Sequence, residues 1–134
     1  MKEFRQTIFG EGGNCFATCV AMILNLSIEE VPNFAAEENW WLNFQKWLVE
    51  RNMFAIEIDS KGGMRPLPTG VHAILTGPAD RGLSHSVIGE YAGTNEEGLL
   101  MWNFKYDPHP DNTFISKIEF ACFIVKEIVG RRGA

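Results

Sequence analysis

A chain of 134 residues can bury one hydrophobic core without a metal or disulfide staple, and nothing in its length calls for a second domain. A hydrophobic fraction of 46% with 22% charged residues excludes a disordered chain. The net charge of -5, with lysine and arginine scattered except at Arg131-Arg132, lacks the basic stripe that displaces counterions from nucleic acid.

No apolar run approaches the ~20 residues of a membrane helix, so neither nucleic acid nor a membrane is an expected partner. Met1-Lys2-Glu3-Phe4-Arg5-Gln6 has no apolar stretch or small-residue cleavage site of a signal peptide. The expected compartment is the cytoplasm, where thiols stay reduced. Three cysteines, an odd number, fit free thiols better than a disulfide framework.

In chain order, Gly10-Glu11-Gly12-Gly13-Asn14 reads as a flexible loop with Asn14 as a helix N-cap. Cys15 to Leu26 is apolar on nearly all sides, which predicts a helix buried at the centre of the domain. Ser27-Ile28-Glu29-Glu30 has capping-box spacing and starts a short turn before Pro32. Trp40, Trp41, Phe44, Trp47 and Leu48 recur at helical spacing and predict an amphipathic helix ending near Asn52, with the tryptophans in the core. Phe54, Ile56 and Ile58 then alternate as in a strand. After a loop over 59–70, strands are predicted at 71–76, 86–91, 99–106 and 118–125. Helices first and an antiparallel sheet afterwards make a single α+β domain over residues 1–134.

Cys15 opens the buried helix directly after the glycine-rich loop. Unpaired N–H groups and the dipole at a helix start stabilise a thiolate, the nucleophilic form of cysteine, and the next backbone N–H can serve an oxyanion. A buried structural thiol is the competing reading. Cys19, one turn later among Thr18, Val20 and Ala21, and Cys122, in an apolar strand, read as packed residues.

A thiol nucleophile needs a base. His85 begins a predicted strand whose partner ends near Tyr106. A hairpin folded about the loop 93–98 sets His85 opposite Tyr106 or Asp107, and Asp107 could then fix the imidazole tautomer. His72, inside a strand, and His109, in the stiff turn Asp107-Pro108-His109-Pro110, are the rival bases. Asp107 has a rival reading too, as a turn-starting residue before proline. If it only orients His85, Asp107→Asn leaves the fold nearly unchanged.

Zinc is the rival chemistry, because Cys15, Cys19, His85 and Asp107 could surround an ion. The paired Cys-x-x-Cys spacing of zinc ribbons and the deaminase signature are both absent, as are a glycine-rich phosphate loop and a Gly-x-Ser-x-Gly elbow. No metal and no cofactor are expected.

The segment from Asn14 to Leu24 resembles the nucleophile helix of papain-like peptidases that cleave bacteriocin leaders at double glycines. The series Gly13-Asn14-Cys15-Phe16, Glu30-Val31-Pro32-Asn33-Phe34, Arg81-Gly82 ahead of His85, and Asp107-Pro108-His109-Pro110 is similar to small bacterial and phage proteins, over residues 6 to about 111. The resemblance implies a papain-like fold in which a central nucleophile helix packs on a C-terminal antiparallel sheet. It further implies Cys15 as nucleophile, His85 as base, Asp107 as the orienting acid, and Gln6 as an oxyanion-hole amide. Gln6 precedes Cys15 by nine positions, so the glycine loop must double back. Phe16 replaces the glycine that follows the nucleophile in the leader peptidases, which alters the cleft. The expected activity is hydrolysis of a peptide, isopeptide or amide in a protein or peptide substrate, by acyl transfer. The alternative is a catalytically silent binding module, such as a phage protein acting on a host factor.

Overall fold

The computed structural model describes residues 3–59, 67–80 and 82–127. Most of the loop expected over 59–70, together with Arg81 and Arg131-Arg132, lies outside these residues. The order is α1 (Cys15–Leu24), two short 3₁₀ turns at Ile28–Glu30 and Phe34–Ala36, and α2 (Trp40–Val49). Five strands follow: β1 (Met53–Asp59), β2 (His72–Pro78), β3 (Ser84–Thr94), β4 (Leu100–Tyr106) and β5 (Phe120–Lys126). They form one antiparallel sheet in the order β1-β5-β2-β3-β4, so the fold is α+β. Among the described residues no helix is long and apolar enough to cross a membrane.

Helix α1 is buried on all sides from Phe16 to Met22, as its sequence requires. It ends at Leu24, two residues short of the expected boundary. Asn25 adopts the left-handed conformation (φ 57°), and Leu26 N–H closes the end on Ala21 O at 2.9 Å. Asn14 stands at the N-cap position, but its side chain does not cap the helix. Its Oδ1 accepts from the N–H groups of Thr7 (3.0 Å) and Ile8 (2.9 Å), and its Nδ2 donates to Thr7 Oγ1. The stronger demand came from two unpaired N–H groups in the returning loop.

Alternate residues of each strand serve two apolar clusters. Ile74, Ile88 and Cys122 join α1 and α2 on one face, while Leu75, Val87 and Phe123 pack with Ile115 on the other. The alternation in β1 points the opposite way from a simple inward reading. Ala55 is the buried residue, and Phe54 and Ile56 are exposed. As an edge strand, β1 leaves backbone groups unpaired on its outer side, and Gln45 of α2 covers them. The Gln45 amide donates to Ala55 O and accepts from Ala55 N, both at 2.8 Å.

The β3–β4 register corrects the expected hairpin. The turn spans Asn95 to Leu99, and Ile88, not His85, stands opposite Tyr106. The strand runs on to Thr94, so the hairpin centre lies near Glu97, later than the middle of 93–98. Asp107 thus falls just past the last ladder pair.

Gly77 faces His85 across β2–β3. A Cβ there would meet Lys117 O of the segment returning to β5. Gly77→Ala is therefore expected to cost about 3 kcal/mol of stability by forced backbone displacement. Gly98→Ala, at φ +80° with open space around it, should cost only about 1 kcal/mol of conformational strain. Urea unfolding midpoints compare them, and equal shifts would contradict the packing assigned to Gly77.

Candidate active site

The first turn of α1 is fixed from outside the helix. Gly10 and Gly12 take positive φ (75° and 77°), and a Cβ on Gly13 would sit 2.8 Å from Ile8 O. The chain doubles back through Gly13 N–H to Gly10 O (3.0 Å) and Asn14 N–H to Ile8 O (3.1 Å). This closure, with the Asn14 clamp, sets Cys15 at the helix start and leaves its thiol partly exposed.

His85 lies near the start of β3 and is 3% exposed. Its Nε2 is 2.6 Å from Asp107 Oδ1, and the ring lies close enough to the Cys15 sulfur for each to shift the other's titration. With Nε2 engaged by the carboxylate, Nδ1 is the nitrogen left for the thiol. Asp107 is fully buried. Its Oδ1 also accepts from His109 N–H (2.9 Å), and its Oδ2 accepts from Phe114 N–H (2.8 Å). The structure thus brings Cys15 and His85 together at one cleft, with Asp107 hydrogen-bonded behind the imidazole.

The rival histidines stand elsewhere. His72 Nε2 is 3.6 Å from Glu90 at the far end of β2. His109 packs edge-on against Phe9 and His85, with ring centroids 5.2 and 6.2 Å away, and its Nδ1 accepts from Asp111 N–H. Gln6 is buried, and its N–H donates to Pro108 O at 3.0 Å. Its side-chain amide donates to Ile8 O (3.0 Å), which leaves one amide hydrogen for another acceptor. Its Oε1 has no partner among the described residues.

Electrostatics divide the three thiols. Burial pushes the Cys15 thiol up, but the hydrogen bond and charge of His85, with the N–H groups of Ser86 and Phe16, bring it below its ordinary 9.0. Burial pushes His85 down, yet the bonds to Asp107 and Cys15 and their charges raise it to about 9. Burial also works against the Asp107 carboxylate, and the bond from His85 with the two backbone N–H groups holds it below its ordinary 3.8. At neutral pH His85 is therefore held as imidazolium and Asp107 as carboxylate, and the neighbours of the Cys15 sulfur favour its thiolate over that of a free cysteine. Burial sends Cys19 well above 9.0, with the charges of Cys15 and Asp107 adding to the rise, while its Sγ donates to Ser86 O. Burial and the nearby Glu57 raise Cys122 to about 12.

A cleft of about 330 Å³ opens over Cys15 and His85. Phe16 and Trp40 form an aromatic wall, their rings edge-on at 5.3 Å. Gln6 and Asp107 do not line it. Among the described residues no group of three His, Cys, Asp or Glu side chains could hold a metal ion.

Several residues that shape the site gave no sequence signal. Arg5 Nη1 donates to the backbone O of Asp107 (2.8 Å), to His109 O and to Asn112 Oδ1, over a separation of about a hundred residues. Glu57 and the hydroxyl pair Thr76–Ser86 (2.9 Å) reach the cleft from three strands. The charged Glu57 within Phe54-Ala55-Ile56-Glu57-Ile58 was the one visible cue. Comparison with protein-family models, curated proteins and solved structures finds no match to this chain.

The shifts imply a pH response with a definite sign. The thiolate fraction of Cys15 rises with pH through a value below 9.0, so at neutral pH iodoacetamide should alkylate it faster than Cys19 and Cys122, whose thiols are raised. His85→Ala removes the leading causes of the lowering and leaves burial, which drives the Cys15 titration upward. Its neutral-pH alkylation should then fall with the lost thiolate fraction. Mass-spectrometric mapping across a pH series measures both. An unchanged profile in His85→Ala would remove the imidazole from the Cys15 environment.

Proposed function

We propose that this chain is a cysteine hydrolase of the papain-like kind, acting on peptide, isopeptide or side-chain amide bonds of a protein or peptide substrate. The observation that carries this reading is the juxtaposition of Cys15 and His85 at an open cleft, with His85 hydrogen-bonded to a buried Asp107. A thiolate with a depressed pKa, an imidazolium beside it and a buried carboxylate are the components of thiol acyl transfer. The segment resemblances at Asn14 to Leu24 and Asp107 to Pro110 support the same assignment. Free thiols at all three cysteines agree with a reducing compartment such as the cytoplasm.

In the reaction, the Cys15 thiolate attacks the carbonyl carbon and forms a tetrahedral oxyanion. The backbone N–H of Cys15 stabilises that oxygen; the resemblance alone adds the amide of Gln6, which does not line the cleft. The His85 imidazolium gives its Nδ1 proton to the departing amine, and the C–N bond breaks to leave a thioester on Cys15. His85, now neutral, takes a proton from water, whose oxygen attacks the thioester. The acid product leaves, and the proton on His85 again faces the thiolate. Asp107 holds Nε2–H throughout, which keeps Nδ1 directed at sulfur.

Cys15→Ala should abolish thiol-dependent hydrolysis, and His85→Ala should lower it by about 10²–10⁴. Asp107→Asn should retain more, because Cys15 and His85 still pair directly; the comparable loss in a serine triad is about 10⁴. The structure revises one expectation for this variant. Both Asp107 oxygens receive N–H donors, so an Asn amide turns its own NH₂ toward one of them. A stability loss of about 1–3 kcal/mol follows. Rate per folded molecule, with the Cys15 alkylation rate and melting temperature of the same sample, separates the roles. A large drop in melting temperature with unchanged alkylation and turnover would reduce Asp107 to a structural residue.

A further inference from the structure

Cys19 follows Cys15 by one turn on the same face of α1. The two thiols meet consecutive residues of β3. Cys15 shares the cleft with His85, and Cys19 Sγ donates to the backbone O of Ser86 at 3.6 Å. Ser86 also lines the cleft and is only 4% exposed. The β3–β4 pairs begin at Ile88–Tyr106, so at Ser86 the strand has β2 on one side and no paired strand on the other. A buried strand carbonyl calls for a donor, and the thiol of the neighbouring helix supplies one.

The Ser86 side chain is fixed separately, by the 2.9 Å bond between its hydroxyl and Thr76 Oγ1 of β2. Ser86 is thus held from the helix through its carbonyl and from the sheet through its side chain. Its own N–H is among the groups that favour the Cys15 thiolate. One residue therefore connects both cysteines: its O receives a hydrogen from Cys19, and its N–H serves Cys15. Packing alone does not call for this donor, since any small apolar residue fills a buried helix position. Burial keeps Cys19 protonated, so the thiol acts here through a hydrogen bond rather than a charge.

We propose that Cys19 is a positioning residue, whose thiol ties α1 to the start of β3 through Ser86 O and so holds His85 and the Ser86 backbone at Cys15. Its catalytic meaning rests on the cysteine-hydrolase reading, and the experiment separates the two. Cys19→Ala removes the donor, and Cys19→Ser restores one on a slightly shorter side chain. In each variant and the parent, Cys15 alkylation by iodoacetamide is mapped across a pH series. Hydrolysis of a peptide p-nitrophenyl ester and the melting temperature are measured beside it, with rates taken per folded molecule. Cys19→Ala should move the rise in Cys15 alkylation to higher pH and lower ester hydrolysis about two- to tenfold, the effect of one hydrogen bond. Cys19→Ser should return both toward the parent, although a hydroxyl is the less favourable group to bury. A merely packed Cys19 makes the reverse forecast, with alanine harmless to Cys15 and serine the worse of the two. An alanine variant with the pH profile and turnover of the parent, or a serine variant no closer to the parent than alanine, would overturn the inference. If Cys19→Ala displaces the pH profile while no variant, the parent included, turns over the ester, the hydrolase reading falls and the tie between Cys19 and Cys15 stands.

Discussion

The arrangement depends on a carboxylate that has no access to water. Asp107 is 0% exposed, and an isolated charge so placed would cost several kcal/mol. Its cost is met by three donors from separate parts of the chain: the His85 ring, His109 N–H and Phe114 N–H. Each donor is held where the carboxylate needs it. Phe114 keeps a left-handed backbone (φ 60°), a strained state for an aromatic residue worth about 1–3 kcal/mol, while it donates to Oδ2. Arg5 fixes the same turn through the Asp107 carbonyl and stacks over Tyr106 at 4.9 Å.

From that anchor the order passes inward to the thiol. Asp107 fixes the His85 ring, and His85 favours the thiolate on Cys15. The N-terminal segment is tied to the same turn through Gln6 N–H and Pro108 O, and returns to α1 through the Asn14 clamp. The charges that favour one thiol disfavour another one turn away. Cys15 and Asp107 both raise Cys19, which is buried and donates to a carbonyl. Two cysteines four residues apart on one helix therefore differ in chemistry because only one reaches the imidazole and the cleft.

The elements and the three central residues were legible because their signals are local. The apolar run of α1, the tryptophan spacing of α2 and the strand alternations report burial directly, and Cys15 was marked by the glycine loop before it. The pairing of His85 with Asp107 was reached through a register placed three residues off along β3. It survived because the two side chains meet across the end of the ladder, where Asp107 has already left the strand. Asn14 was read as a cap and is instead a loop clamp. The two functions use the same side-chain oxygen, and only the folded loop decides between them. Arg5 and Phe114 were hidden for a different reason: Arg5 acts on residues about a hundred positions away, and Phe114 on a carboxylate seven positions back, through contacts that no local pattern encodes.

The central claim is that Cys15 forms a covalent acyl intermediate, and intact-protein mass spectrometry after acid quench tests it most directly. With an activated peptide ester in excess, the account predicts an adduct of the acyl mass on Cys15, labile to hydroxylamine and lost with time as water resolves the thioester. Cys15→Ala should carry no such adduct on Cys19 or Cys122. An acyl group mapped to either of those thiols, or a reactive Cys15 that never acquires the acyl mass, would contradict the account.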